Sequence, residues 1–244
     1  MLYFYSTRKP AMTQKIIFTP TTSEAESLDV APSPALSMIP QWYKNIPALY
    51  GDGKFHLTNG RNNRTVKACM PFLDAMTAGY ILTLSEDVIV SWENEAPMFN
   101  WRSSREPISI HTIDQHRGVP CPKGYSNFVM KFASEWMITV PKGYSLLCLQ
   151  PINKFDLPFQ LITGFVDADT FPMSIQLPFF IQEGWEGVIE AGTPIAQYIP
   201  IKRENWKSSI AKYDKNQVEK NTWIWLRKIN LSYKLQFWKR KSYQ

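Results

Sequence analysis

Asp167 and Asp169 are the residues whose type and spacing best suit chemistry in this chain. They stand two apart in "GFVDADTF", directly after a strand-like run from Gln160 to Val166. Carboxylates at a strand end can hold a ligand or activate water. They can equally cap a turn by accepting backbone N–H groups. Both readings stand on the sequence, and the turn cap is the expectation.

A second cluster is "SIHTIDQHRG", with His111, Asp114 and His116. A non-haem iron site wants two histidines and one carboxylate on one face. Its usual spacing puts a His and a carboxylate two apart, with the second His far along the chain. Here Asp114 is three from His111, no histidine follows His116, and His56 precedes them in a loop-like stretch. An iron-dependent oxygenase on His111, Asp114 and His116 is therefore the weaker alternative, and no cofactor is expected. There is no Gly-x-Ser-x-Gly elbow and no Gly-Lys-Ser/Thr phosphate loop. Cys69, Cys121 and Cys148 form no Cys-x-x-Cys pair, which argues against a zinc knuckle or a disulfide framework. Cys69 and Cys148 lie in apolar runs and read as buried small hydrophobes.

The elements around these residues are strands. With 44% hydrophobic and 14% aromatic residues in 244, the chain is of globular composition. From about Arg64, runs such as "GYILTLS", "DVIVSWE", "NFVMKFAS", "WMITVPKGYSLLCLQP" and "PIAQYIPIK" are rich in Val, Ile, Phe and Tyr. Gly, Pro, Asp or Asn break them at short intervals, the pattern of a β-sandwich or small barrel. "TVKACMPFL" is counted among these strand-like runs, and "DAMTAG" is the only helical turn expected between them. Residues 64–200 are expected to be one all-β core. Residues 1–12 read as an extension, and Met12 is a second candidate start. Residues 13–63 read as one strand and a wrapping arm whose five prolines from Pro20 to Pro47 forbid a long helix. "QWYKN" within it is expected to form one turn anchored by Trp42 and Tyr43.

Residues 201–244 hold 12 Lys or Arg against 3 Asp or Glu, whereas the rest holds 15 against 18. The basic character belongs to this C-terminal extension. Trp206, Ile210, Tyr213 and Val218 have a loosely helical spacing. Trp223, Trp225, Arg227, Lys228, Trp238, Lys239, Arg240 and Lys241 interleave aromatic and basic side chains. Such a tail can stack on bases and track phosphates, dock on an acidic protein, or pack on its own core.

"VPKGYSLLCLQP", "GFVDAD" and "AGTPIAQYIP" together resemble three consecutive elements of the trimeric deoxyuridine triphosphatases and their deoxycytidine deaminase relatives. That resemblance covers residues 140–200. It implies a carboxylate role for Asp167, with Asp169, Asn153 and Gln197 as further ligand-binding candidates. Where that family has Pro-Arg-Ser, this chain has Pro151-Ile152-Asn153, with no cation for a phosphate. A wider resemblance covers residues 13–244. "IPQWYKNIP", "CMPFLDAMTAGY", "GFVDADTFPMSIQLPFF" and the terminal "KLQFWKRKSYQ" are similar to an uncharacterised protein family of tailed marine and cyanobacterial phages. It implies a viral setting and no particular reaction.

The expectation is an all-β, single sandwich or small barrel of deoxyuridine triphosphatase-like or cupin-like type. The function expected is a non-enzymatic, phage-encoded binding or assembly protein. The alternative is a deoxynucleotide-binding or -hydrolysing protein. Expected partners are further copies of the chain and phage or host proteins, with nucleic acid possible through the tail and no membrane. No apolar run approaches the roughly 18–20 residues of a membrane helix. The expected setting is the host cytoplasm or the virion.

Overall fold

The structure is a computed structural model that describes residues 13–27, 30–58, 61–226 and 233–244. The N-terminal arm supplies β1 (Ile17–Pro20), β2 (Ser33–Pro34), β3 (Leu57–Thr58) and β4 (Arg61–Asn62). Then come β5 (Tyr80–Thr83), β6 (Val88–Glu93), β7 (Ala96–Asn100), β8 (Ile108–Ile110) and β9 (Tyr125–Thr139). β10 (Tyr144–Leu149), β11 (Phe159–Leu161) and β12 (Gly164–Val166) follow. The last are β13 (Ser174–Gln182), β14 (Gly187–Ile189) and β15 (Pro194–Lys202).

One sheet has the order β1-β9-β13-β11, with β8 also on β9, and a second has the order β12-β10-β15-β5-β2. β14-β6-β7 makes a third, and β3-β4 is a short ribbon. Strand character is thus as expected, but the sheets keep their edges and no barrel closes.

Alternation explains the long β9, where "NFVMKFAS" and "WMIT" join into one strand. Met130, Phe132, Ser134, Trp136 and Ile138 are buried at every second position. Phe132 stacks on Phe179 of β13 at 3.9 Å between ring centroids, and Phe159 of β11 meets it edge-on at 5.0 Å. Leu82, Leu146 and Tyr198 of the second sheet and Val88, Val90 and Ile189 of the third complete the same core.

Two local expectations are corrected. "TVKACMPFL" is not a strand: Val66–Ala68 is a 3-10 turn, and α3 (Met70–Thr77) follows it. The shorter helices α1 (Ser23–Ser27) and α2 (Gln41–Asn45) precede it in the arm. Pro71 lies in the first turn of α3, where its missing N–H costs nothing and its fixed φ suits a helix. Cys69 is the residue before that helix and is exposed, while Cys148 is buried as expected. Burial pushes the Cys148 thiol up to about 12.

α3 ends against β15 at Gly79. Its φ is +68°, and a Cβ there would lie 1.9 Å from the Tyr198 carbonyl oxygen. Only glycine lets the chain pass so close.

The arm is woven into the sheets, β1 on β9 and β2 on β5. "QWYKN" forms α2 as expected. Tyr43 is buried, and the Trp42 ring lies edge-on to Phe72 at 6.2 Å.

Candidate functional site

Three elements converge on Asp167 and Asp169. β10 pairs with β12 on one side and with β15 on the other. The register sets Tyr144 opposite Lys202, so Arg203 leaves β15 beside the turn Pro141–Tyr144. That turn is closed by the Tyr144 N–H donating to the Pro141 carbonyl at 3.1 Å. Gly143 sits in its third position with φ +86°, the left-handed conformation a type II turn requires there.

Arg203 ties these elements together. Its backbone N–H donates to the Gly143 carbonyl at 2.8 Å. Nη1 donates to Asp167 Oδ1 at 3.0 Å, to Asp169 Oδ1 at 2.9 Å and to the Tyr144 carbonyl at 2.9 Å. Nη2 donates to Asp169 Oδ2, which makes the pair with Asp169 bidentate. Asp169 Oδ2 also accepts the Gly143 N–H at 2.9 Å, and the Ser145 hydroxyl donates to Asp167 Oδ1 at 2.6 Å.

The two carboxylates therefore do different things. Asp169 does cap a turn, but a distant one, at Gly143. Its side chain is 2% exposed, against 64% for Asp167. The guanidinium, with the Gly143 N–H, brings the Asp169 carboxyl down to about 2. The Ser145 hydroxyl, with the same guanidinium, holds Asp167 below the usual carboxylate range.

Asn153 and Gln197 are not part of this cluster. Gln197 lies opposite Leu149, four strand residues from Ser145, or roughly 13 Å. It is fully buried, donating to the Ala75 and Ala78 carbonyls at 3.0 and 2.7 Å and accepting the Ile152 N–H at 2.9 Å. All its hydrogen-bonding directions within the protein thus serve to pin the end of α3 to the Pro151–Lys154 turn. Asn153 holds the left-handed position of that turn, with φ +60°.

The weaker metal set is taken apart by its own partners. His111 Nδ1 lies 2.9 Å from Gln115 Oε1, and Asp114 pairs with Arg117 at 2.5 Å. His116 Nε2 donates to the Asn127 carbonyl at 3.0 Å. Among the described residues no group of three His, Cys, Asp or Glu could hold a metal ion.

After Arg203 the chain leaves the body. Every residue from Ile201 to Trp223 is exposed, with Trp206 at 89%, Ile210 at 101% and Tyr213 at 79%. The helical spacing expected there is not realised over Trp206–Tyr213. The helix α4 (Lys215–Leu226) begins later, where the Asp214 carboxylate accepts the Gln217 N–H at 3.1 Å and caps it. Trp223 and Trp225 belong to α4, and Arg227 and Lys228 lie outside the described residues.

The chain end returns to the body. Trp238 Nε1 donates to Asp74 Oδ2 of α3 at 2.9 Å, and the Lys241 ammonium donates to the same oxygen. The Tyr80 hydroxyl donates to the Gln244 carbonyl at 3.1 Å. Lys239 and Arg240 between them are exposed. A cleft of about 620 Å³ lies beside the returning end, lined by Lys15, Tyr80, Tyr144 and Tyr243 among others but by neither aspartate.

The residue that sequence reasoning missed is Arg203. Its only sequence signal is a cation directly after a strand that pairs with "VPKGY". No protein-family model matches the chain, and no curated protein matches it. Among the described residues no helix is long and apolar enough to cross a membrane.

Proposed function

We propose that this chain is a non-enzymatic assembly protein, of the phage-encoded kind its sequence resembles. In this reading the two five-stranded sheets form a sandwich, and the Arg203 cluster is the root of a projecting segment that binds a protein surface. The observation that carries it is the exposure of Trp206, Ile210 and Tyr213 on a stretch whose base is held by six side-chain and backbone hydrogen bonds of Arg203. Apolar side chains of this size, grouped and rimmed by Lys207 and Lys212, are what a docking segment presents. Asp167 and Asp169 are anchors in this account, with their charge already met by the guanidinium.

The test is sedimentation velocity on a variant carrying Trp206→Ser, Ile210→Ser and Tyr213→Ser. Loss of self-association with an unchanged melting temperature supports the reading. A variant that associates like wild type contradicts it.

A second reading, deoxynucleotide binding, is favoured by one observation. The three stretches that resemble the deoxyuridine triphosphatases lie side by side as β12, β10 and β15. Against it stands Arg203, which occupies the carboxylate that would hold the sugar.

A further inference from the structure

We propose that the chain end, residues 238–244, is exchanged between two copies, each end latching onto the other copy's Asp74 and Tyr80. This rests on the assembly reading and names the partner as a second copy of the chain.

The latch is a small set of contacts at one place. Trp238 and Lys241 both donate to Asp74, and the Tyr80 hydroxyl donates to the carbonyl of Gln244. The Tyr243 ring adds an edge-on contact with Tyr80 at 6.2 Å. The acceptor Asp74 sits on α3 and the donor Tyr80 on β5, so a second copy presents the same notch. The hydrogen bond to Asp74 in turn raises the Lys241 ammonium above its ordinary value.

The chain that leads to the latch leaves the body at the Arg203 anchor, and its residues up to Trp223 are exposed. The contacts at its two ends are the same whether the end closes on its own body or on a neighbour's. Exchange therefore keeps the contacts at both ends, which is what makes swapping a low-cost route to a dimer.

The exposed stretch itself favours the neighbour. In a self-closed chain Trp206, Ile210 and Tyr213 stay in water. Two chains that exchange ends carry their stretches across from one body to the other, where apolar surface on both becomes available for burial. Charge points the same way. Trp206–Tyr213 carries Lys207 and Lys212 and no carboxylate, while residues 1–200 hold more acidic than basic side chains. The exchange is reciprocal, so it closes as a two-fold dimer and does not propagate.

The test uses two full-length chains with different tags, one Asp74→Asn and the other Lys241→Gln, expressed together and purified through both tags. Neither chain can join Lys241 to Asp74 within itself. A zero-length carbodiimide couples an ammonium to a carboxylate in direct contact, and mass spectrometry reads the linked peptides. Exchange predicts the Lys241–Asp74 link between the two chains, as well as in the wild type. A link in the wild type with none in the captured pair overturns the exchange and leaves the assembly reading standing. No link in the wild type overturns it too, because the latch is then not made. If no doubly tagged particle can be captured, and the wild type is monomeric, both readings fail.

Discussion

Asp169 and Arg203, 34 residues apart in sequence, face each other with both carboxylate oxygens on both terminal guanidinium nitrogens. The pair joins the loop after β12 to the end of β15, and the Gly143 N–H adds the turn before β10. Asp167 shares the guanidinium from the solvent side.

The two aspartates should therefore respond differently to the same change. Asp169→Asn removes a bidentate partner from a side chain that is 2% exposed, whereas Asp167→Asn removes one that is 64% exposed. The expected outcome is a clearly lower melting temperature for Asp169→Asn and a smaller drop for Asp167→Asn. Neither should change the heat of mixing with deoxynucleotides. A deoxynucleotide signal lost in Asp167→Asn alone would instead make it a ligand residue.

Acid should open the cluster. The folded Asp169 carboxyl sits at about 2, below its ordinary value of 3.8. Its contribution is complete above the ordinary value and is lost as pH falls through about 2, because protonation then favours the unfolded chain. Asp167 is lowered too and acts in the same direction. Wild-type melting temperature should fall across this window, and Asp169→Asn should fall less. Parallel curves for the two proteins would remove Asp169 from the account.

Gln197→Leu should cost about 1–3 kcal/mol, since it leaves part-buried backbone groups at Ala75, Ala78 and Ile152 without their partner. Urea denaturation measures it directly. A near-neutral result would mean that water replaces the amide, which the full burial of Gln197 argues against.

Trp42→Ala should loosen the arm by about 2 kcal/mol, the order expected for losing a largely packed aromatic side chain. Its ring meets Tyr43, Phe72 and Phe155. Limited proteolysis between Pro20 and Tyr50 should speed up in the variant. Equal rates would show that Tyr43 and the β2 pairing hold the arm without it.

Strands were legible in the sequence because burial alternates along them, as in Met130, Phe132 and Ser134 of β9. α2 was legible from "QWYKN" because the prolines around it leave room for only one turn. Only the second half of α3 was legible, in "DAMTAG", because the apolar side chains in "TVKACMPFL" suit a strand as well as a helix. Asp167 and Asp169 could be found from their spacing. Arg203 could not, since its place beside Gly143 depends on the pairing of Tyr144 with Lys202, a long-range register that no local pattern encodes. The inward packing of Gln197 is hidden from the sequence for a related reason. Its flanks Ala196 and Tyr198 are both buried, and only the packing of α3 on β15 reveals an amide facing inward.

The account turns on self-association through the projecting segment, and the most direct measurement is the solution mass of the wild-type chain by light scattering over a dilution series. A mass of twice the 28.3 kDa chain at high concentration, falling toward one chain on dilution or holding throughout, is the predicted result. A mass of 28.3 kDa at every concentration, with Trp206, Ile210 and Tyr213 intact, would contradict it.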